Sequence, residues 1–180
     1  WLEQRPPDAA RSFWSAYLAD YEAAAPLEPE AQPNPSTGHQ EYPDSLGPDL
    51  SEQLRSLAAV NDTTLATLMQ AAWGILLSRQ NRTQDVVFGA IVSGRPAQLA
   101  GVEKMVGLFI CAVPVRIRYE DDDSFMALMQ AAQVAALAAE PHHHLPLAEI
   151  QTLTPLGREL FDHLLVFENY PLDRTVGTGD

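Results

Sequence analysis

Residues 85–118 read DVVFGAIVSGRPAQLAGVEKMVGLFICAVPVRIR and hold two apolar runs rich in β-branched residues, 86–92 and 108–117. Neither run alternates apolar with polar residues, so each expects cover on both faces, as in a strand inside a layered sheet. Between them lies a loop that opens with Ser93-Gly94-Arg95-Pro96. Gly94 and Pro96 punctuate the exit of the first run, and Gly101 and Gly107 loosen the approach to the second. A chain with this centre, with helices leading into its strands, is expected to build a layered α/β fold.

The flanking segments supply those helices. Residues 8–21 read as an amphipathic helix capped by Asp8, with Phe13, Trp14, Tyr17 and Leu18 on one stripe. A second helix is expected over 48–59, with Pro48 at its first position and Leu50, Leu54, Leu57 and Ala58 inward. The third starts at Thr63 or Thr64 and runs to about 79–81. Its predicted inner face is Leu65, Leu68, Met69, Ala72, Trp73, Leu76 and Leu77. After the second β run, the acidic turn at 120–123 should cap a helix over 124–139 with its last aspartate. That helix is expected to bury Phe125, Leu128, Met129, Ala132, Ala135, Ala136 and Ala139, its small residues allowing close approach to a neighbour. Residues 161–171 form a third apolar, β-prone run, and a short strand is expected over 39–46. The proline-rich segment 25–38 has no apolar periodicity and reads as an extended connector.

Composition narrows the function classes. At 180 residues and 46% hydrophobic, the chain is long enough for one domain with its own core. A net charge of −13 argues against nucleic acid and anionic membrane surfaces, which require a basic footprint. One cysteine, Cys111, makes no internal disulfide and suits a reducing cytoplasm. No apolar run reaches membrane-spanning length. GxSxG, GxGxxG, Walker, CxxC and HExxH patterns do not occur. Three consecutive histidines, His142–His144, diverge in any regular element, so no metal site is expected from them. Cys111 lies in an apolar strand pattern and reads as an inert thiol rather than a nucleophile.

The string VSGRPAQLAGVEKMVGLFICAVPVRI resembles the middle of the C-terminal lobe of a nonribosomal peptide synthetase condensation domain. The family's "SGRP", "GxE" and "GxFxNTxPxR" correspond to 93–96, 101–103 and 107–116, with Cys111 and Ala112 standing where the family has Asn and Thr. Phe13-Trp14-Ser15-Ala16-Tyr17-Leu18-Ala19 resembles the segment that leads into this lobe. PHHHLPLAE is similar to the motif "HQDxPFE", with His142 and Pro146 matching while His144 and Ala148 replace Asp and Glu; FENYP matches "FEN-P" through Asn169. The catalytic HHxxxDG is absent from this chain: His143-His144 is followed by Leu-Pro-Leu-Ala-Glu.

The resemblance implies one lobe of the chloramphenicol-acetyltransferase-like fold, an α/β arrangement of a mixed β-sheet with helices packed mainly on one face. It divides the chain into a lead-in helix over 1–24 joining an N-terminal lobe, a connector over 25–46, a partial C-terminal lobe over 47–172 and a flexible tail over 173–180. A chain opening on Trp1 is then expected to be part of something longer. The implied function is amide-bond formation between donor and acceptor groups carried on phosphopantetheine arms, with no metal or other bound cofactor. The imidazole that such chemistry places near the attacking amine belongs to the other lobe. This chain is expected to supply tunnel floor and a carrier-docking surface, not catalysis of its own. The implied partners are the N-terminal lobe, peptidyl carrier proteins and an adjacent adenylation domain. The implied tunnel or lobe-contact residues are Ser93, Gly94, Arg95, Gly107, Phe109, Cys111, Arg116, His142 and Asn169; for the two arginines a structural role is favoured over substrate contact. An alternative is a degenerate domain that recruits partners without catalysing, a reading favoured by Cys111 at the usual Asn position.

Overall fold

The computed structural model describes residues 5–27, 41–96 and 99–168. Among these, five α-helices surround a three-stranded sheet: α1 (Pro7–Tyr17), α2 (Gly47–Val60), α3 (Leu65–Asn81), α4 (Phe125–Ala139) and α5 (Leu147–Gln151), with β1 (Asp85–Ser93), β2 (Ile110–Arg118) and β3 (Leu164–Leu165). The strand order is β2-β1-β3. β1 pairs antiparallel with β2 from Asp85↔Arg118 to Ser93↔Ile110, and parallel with β3 through Gly89↔Leu164 and Ala90↔Leu165. The mixed sheet matches the expected class.

Position in the sheet explains the two central runs. β1 is interior, and Val86, Val87, Phe88 and Ala90 are buried on both faces. β2 is an edge strand, and Ile110 at its start is exposed, as is Leu108, which lies outside the strand altogether. Pro114 fits this edge. It stands opposite Gly89, whose N–H is given to the carbonyl of His163 on the β3 side. The missing N–H of Pro114 therefore falls on the outer side, where no ladder bond is lost. Two tyrosines finish the edges: Tyr17 Oη accepts from Arg116 N–H at 2.8 Å, and Tyr21 Oη accepts from Val87 N–H at 3.1 Å. Each satisfies a donor that the short sheet leaves over.

One core cluster joins Val86, Phe88 and Ile117 to Leu68, Ala71 and Leu77 of α3 and to Leu128, Met129 and Ala132 of α4. The second joins Val87 and Val113 to Trp14 and Leu18, Ile150 and Leu160. The two longest helices thus share one side, and α1 and α5 gather in the other cluster.

The helix faces depart from expectation in places. On α3 the buried residues are Thr67, Leu68, Ala71, Gly74, Leu77 and Ser78; Ala72 and Leu76 face outward. The reason is close approach: a Cβ added at Gly74 would stand 2.6 Å from Ile117 Cβ. Small residues occupy the line of contact, so Met69 and Trp73 fill its flanks. Leu50 of α2 and Ala136 of α4 are also exposed. Thr64, not Thr63, caps α3, accepting from Thr67 N–H at 3.0 Å. Ser124, not Asp123, caps α4, and Asp123 instead accepts from Glu120 N–H at 2.8 Å to close the preceding turn. At α1, Pro6 occupies the cap position and Asp8 lies inside the first turn, pairing with Arg11; the helix ends at Tyr17 rather than 21. Of the expected strand over 39–46, residues 41–46 are not strand; 39 and 40 lie outside the described residues. The same holds for most of the 25–46 connector and for the 173–180 tail.

Among the described residues of the 161–171 run, only Leu164–Leu165 pair with β1, so β3 is short. It is secured by a side-chain relay. Trp73 Nε1–H donates to His163 Nε2 at 2.9 Å, which leaves the His163 proton on Nδ1 to donate to Asp162 Oδ1 at 2.7 Å. Asp162 also accepts the N–H of Leu27. Burial pushes the Asp162 carboxyl up, but the hydrogen bonds from His163 and Leu27 outweigh it and hold the group below its ordinary value.

Candidate functional site

The end of β1, the start of β2 and the 140–144 turn enclose a cavity of about 580 Å³. Among the described residues its lining includes Ser93, Gly94, Arg95, Phe109 and Cys111, five of the nine residues singled out from the sequence. The register brings these two strand ends together, since Ser93 pairs with Ile110 and Val92 with Cys111. Gly94 N–H donates to the carbonyl of Phe109 at 2.6 Å, closing the corner. A Cβ on Gly94 would sit 2.6 Å from Cys111 Sγ, so the thiol packs into the space that glycine leaves. Burial pushes that thiol's pKa up, which keeps it protonated and a poor nucleophile.

Arg95 is committed to backbone. Its guanidinium donates to the carbonyls of Val102 and Met105, and its Cζ lies 4.0 Å from the centre of the Phe109 ring. Gly101 makes this possible: at φ 79° it adopts the left-handed conformation that starts the tight turn Val102–Lys104, and that turn brings both carbonyls round to one cation. Arg95 therefore staples the loop to the strand and holds Phe109 against it. Gly107, in the same loop, is not part of the lining.

Arg116 lies away from the cavity. It makes a bidentate pair with Asp85, Nε to Oδ1 at 2.8 Å and Nη2 to Oδ2 at 2.6 Å, and gives Nη1 to the carbonyls of Tyr17 at 3.0 Å and Ala19 at 2.7 Å. The carboxylate raises the guanidinium pKa further above its ordinary value. This arginine joins β1, β2 and the end of α1. Asn169 lies outside the described residues.

The histidine triplet divides in a way its order in the chain does not reveal. His142 stacks on Phe13, 4.4 Å between ring centres, and its carbonyl accepts from Trp14 Nε1–H at 3.1 Å. It is His143 and His144 that line the cavity, together with Arg5, Glu140 and Pro141. Residues 140–142 form a tight helical turn in which successive side chains diverge by about 120°, which lets the His142 ring leave the cavity wall. The ring of His142 is spent on the lead-in helix.

Burial, reinforced by His142 and His144, lowers the His143 pKa to about 4, leaving a neutral imidazole at neutral pH. In the unfolded chain the same group titrates near its ordinary value of 6.5. As pH falls the unfolded chain takes up this proton first. The stability contributed by the neutral ring is therefore complete above about pH 6.5 and is lost as pH falls toward 4, at up to about 1.4 kcal/mol per pH unit. Urea unfolding of His143→Asn between those pH values should show a flatter dependence than the parent chain. Equal slopes would refute the burial of a neutral His143.

The family model "Condensation domain" matches residues 2–179. The chain is 42% identical over 180 residues to bacitracin synthase 3 of Bacillus licheniformis and 43% identical over 173 residues to tyrocidine synthase 2 of Brevibacillus parabrevis. These matches cover 97% and 96% of this chain but only 3% and 5% of the two synthases. Among solved structures, the first condensation domain of the CDA synthetase matches with a TM-score of 0.66 at 19% identity, covering 88% of this chain and 34% of that one. That likeness carries the fold. The family match extends across nearly the whole sequence, and the chain belongs to the condensation-domain family.

Proposed function

We propose that this chain is a lobe of a nonribosomal peptide synthetase condensation domain, which joins a donor acyl group to an acceptor amine, each presented as a thioester on the phosphopantetheine arm of a carrier protein. The observation that carries this reading is the family match over residues 2–179, together with the cavity that gathers Ser93-Gly94-Arg95 and Phe109-x-Cys111 at one end of the sheet. The lobe contributes tunnel floor and docking surface. The acid–base imidazole is supplied by the N-terminal lobe, because no HHxxxDG occurs here and the cavity's own His143-His144 pair is followed by Leu145-Pro146-Leu147-Ala148-Glu149. Exposed Val106 and Ile110, close in sequence to the cavity-lining Leu108 and Phe109, suit cover by that opposite lobe. Carrier proteins and an adenylation domain complete the set of partners.

The test is amide formation by the complete domain containing this chain, with donor-loaded and acceptor-loaded carrier proteins and product followed by mass spectrometry. Absence of amide product with every pair tried would sink the reading. In the same assay Arg95→Ala should lower turnover about tenfold or more, as expected when a loop that orients substrate is released. Its effect on folding should be small, because the lost bonds belong to a surface loop. Unchanged turnover would remove the floor-loop role.

A further inference from the structure

The chemistry of the cavity wall specifies what the cavity can hold. Pro96, Leu99, Leu108, Phe109, Cys111 and Pro141 supply apolar surface. Arg95 is turned onto two backbone carbonyls and an aromatic face. Ser93 Oγ accepts from Arg95 N–H at 3.3 Å. The remaining formal charges of the described lining, Arg5 and Glu140, are of opposite sign. A volume of about 580 Å³ lies in the range of small-molecule sites.

From this lining we infer that the cavity selects an uncharged, apolar amino-acid side chain on the tethered substrate, with Leu108 and Cys111 as the residues that set this preference. The inference rests on the condensation reading and deepens it. A carboxylate or ammonium entering this space would give up water and meet formal charges of both signs beside the polar rings of His143 and His144, whereas an aliphatic group gains contact with the proline, leucine and phenylalanine walls. Cys111 matters through size as well as polarity. Its sulfur nests against Gly94, and both residues belong to the cavity wall. Leu108 is the other lever, because at 88% exposure its replacement changes the wall without disturbing the core.

The experiment uses the Nα-acetyl methylamides of leucine, aspartate and lysine, which differ only in side chain, added to the isotopically labelled chain and followed by backbone amide shifts. The expected result is binding of the leucine probe with shifts at Gly94, Leu108 and Cys111, at least about tenfold tighter than either charged probe. Leu108→Lys should melt within a few degrees of the parent. It should weaken the leucine probe and raise aspartate above lysine. Equal binding of all three probes, binding outside the cavity, or an unchanged order in Leu108→Lys would each overturn the inference. Because binding is read without turnover, such a failure leaves the condensation reading standing. Conversely, a complete domain that makes no amide while this chain still prefers the leucine probe overturns only the condensation reading.

Discussion

Gly74→Leu is expected to destabilise the chain by about 3 kcal/mol or more, a large part of what a domain of this size has to lose. Any side chain at this position begins at a Cβ 2.6 to 2.7 Å from three carbons of Ile117. One of those carbons is Ile117 Cβ, which no rotamer change moves, and Ile117 is itself buried in the sheet. The only relief is to lift α3 off β2, and that opens the core between α3, α4 and the sheet. Gly74→Ala tests the same point more finely. Alanine gains about 1 kcal/mol of helix propensity over glycine, yet the net effect is expected to be destabilising by about 1–3 kcal/mol. Urea denaturation of both variants measures it. An alanine variant as stable as the parent would mean that helix and sheet are not in contact at this glycine.

Arg116→Met should cost about 3–5 kcal/mol, the range found when one partner of a buried ion pair is removed. The side chains of Arg116 and Asp85 are only 11% and 25% exposed, so the carboxylate left behind has little access to water. The carbonyls of Tyr17 and Ala19 lose their donor in the same stroke. Lysine is not expected to rescue, because one ammonium cannot reproduce a bidentate fork and two carbonyl contacts at once. Asp85→Asn retains one acceptor for the guanidinium, which also keeps the carbonyls of Tyr17 and Ala19, and should lose less. Thermal melts of Arg116→Met, Arg116→Lys and Asp85→Asn rank these effects. If lysine restores full stability, the pair acts as a point-charge contact and the fork geometry contributes nothing.

Much of this fold could be read before any coordinates. The β1 run is apolar at every position from Val86 to Val92 except Gly89, and that pattern belongs to a strand covered on both faces, which is its place in the sheet. The Thr63-Thr64 pair and the last aspartate of the acidic turn, each ahead of an apolar periodic segment, located the starts of α3 and α4 within a residue or two, although Ser124 rather than Asp123 caps α4. The faces were harder. Hydrophobicity alone turned α3 toward Leu76 and Ala72, because leucine outweighs glycine on any such scale. Contact at close range selects the reverse, and Thr67, Ala71, Gly74 and Ser78 form the buried line. Polar residues on that line find partners of their own: Thr67 donates to Gln133 on α4 at 2.8 Å, and Ser78 donates to the Gly74 carbonyl at 2.7 Å.

The candidate site divides along the same boundary. Ser93, Gly94, Arg95, Phe109 and Cys111 were legible as a group because strand pairing brings the end of one run beside the start of the next. His143, His144, Arg5 and Glu140 join them only through the packing of the 140–144 turn and the residues before α1, separated by more than a hundred positions in one case. The relay Trp73–His163–Asp162 was not legible either, since its members become neighbours only when β3 docks beside β1.

By itself the sequence determined the four longer helices, the two central strands, the interior place of β1 and the corner where the two apolar runs meet, since periodicity and turn chemistry are local properties of the chain. Tertiary structure alone decided what each polar side chain does. Arg95 and Arg116 are the same residue type in neighbouring elements, yet one meets two loop carbonyls and the other a carboxylate with the end of a helix. A guanidinium is satisfied by whatever acceptors the fold carries to it, and those acceptors come from segments whose distance in space the order of residues does not encode.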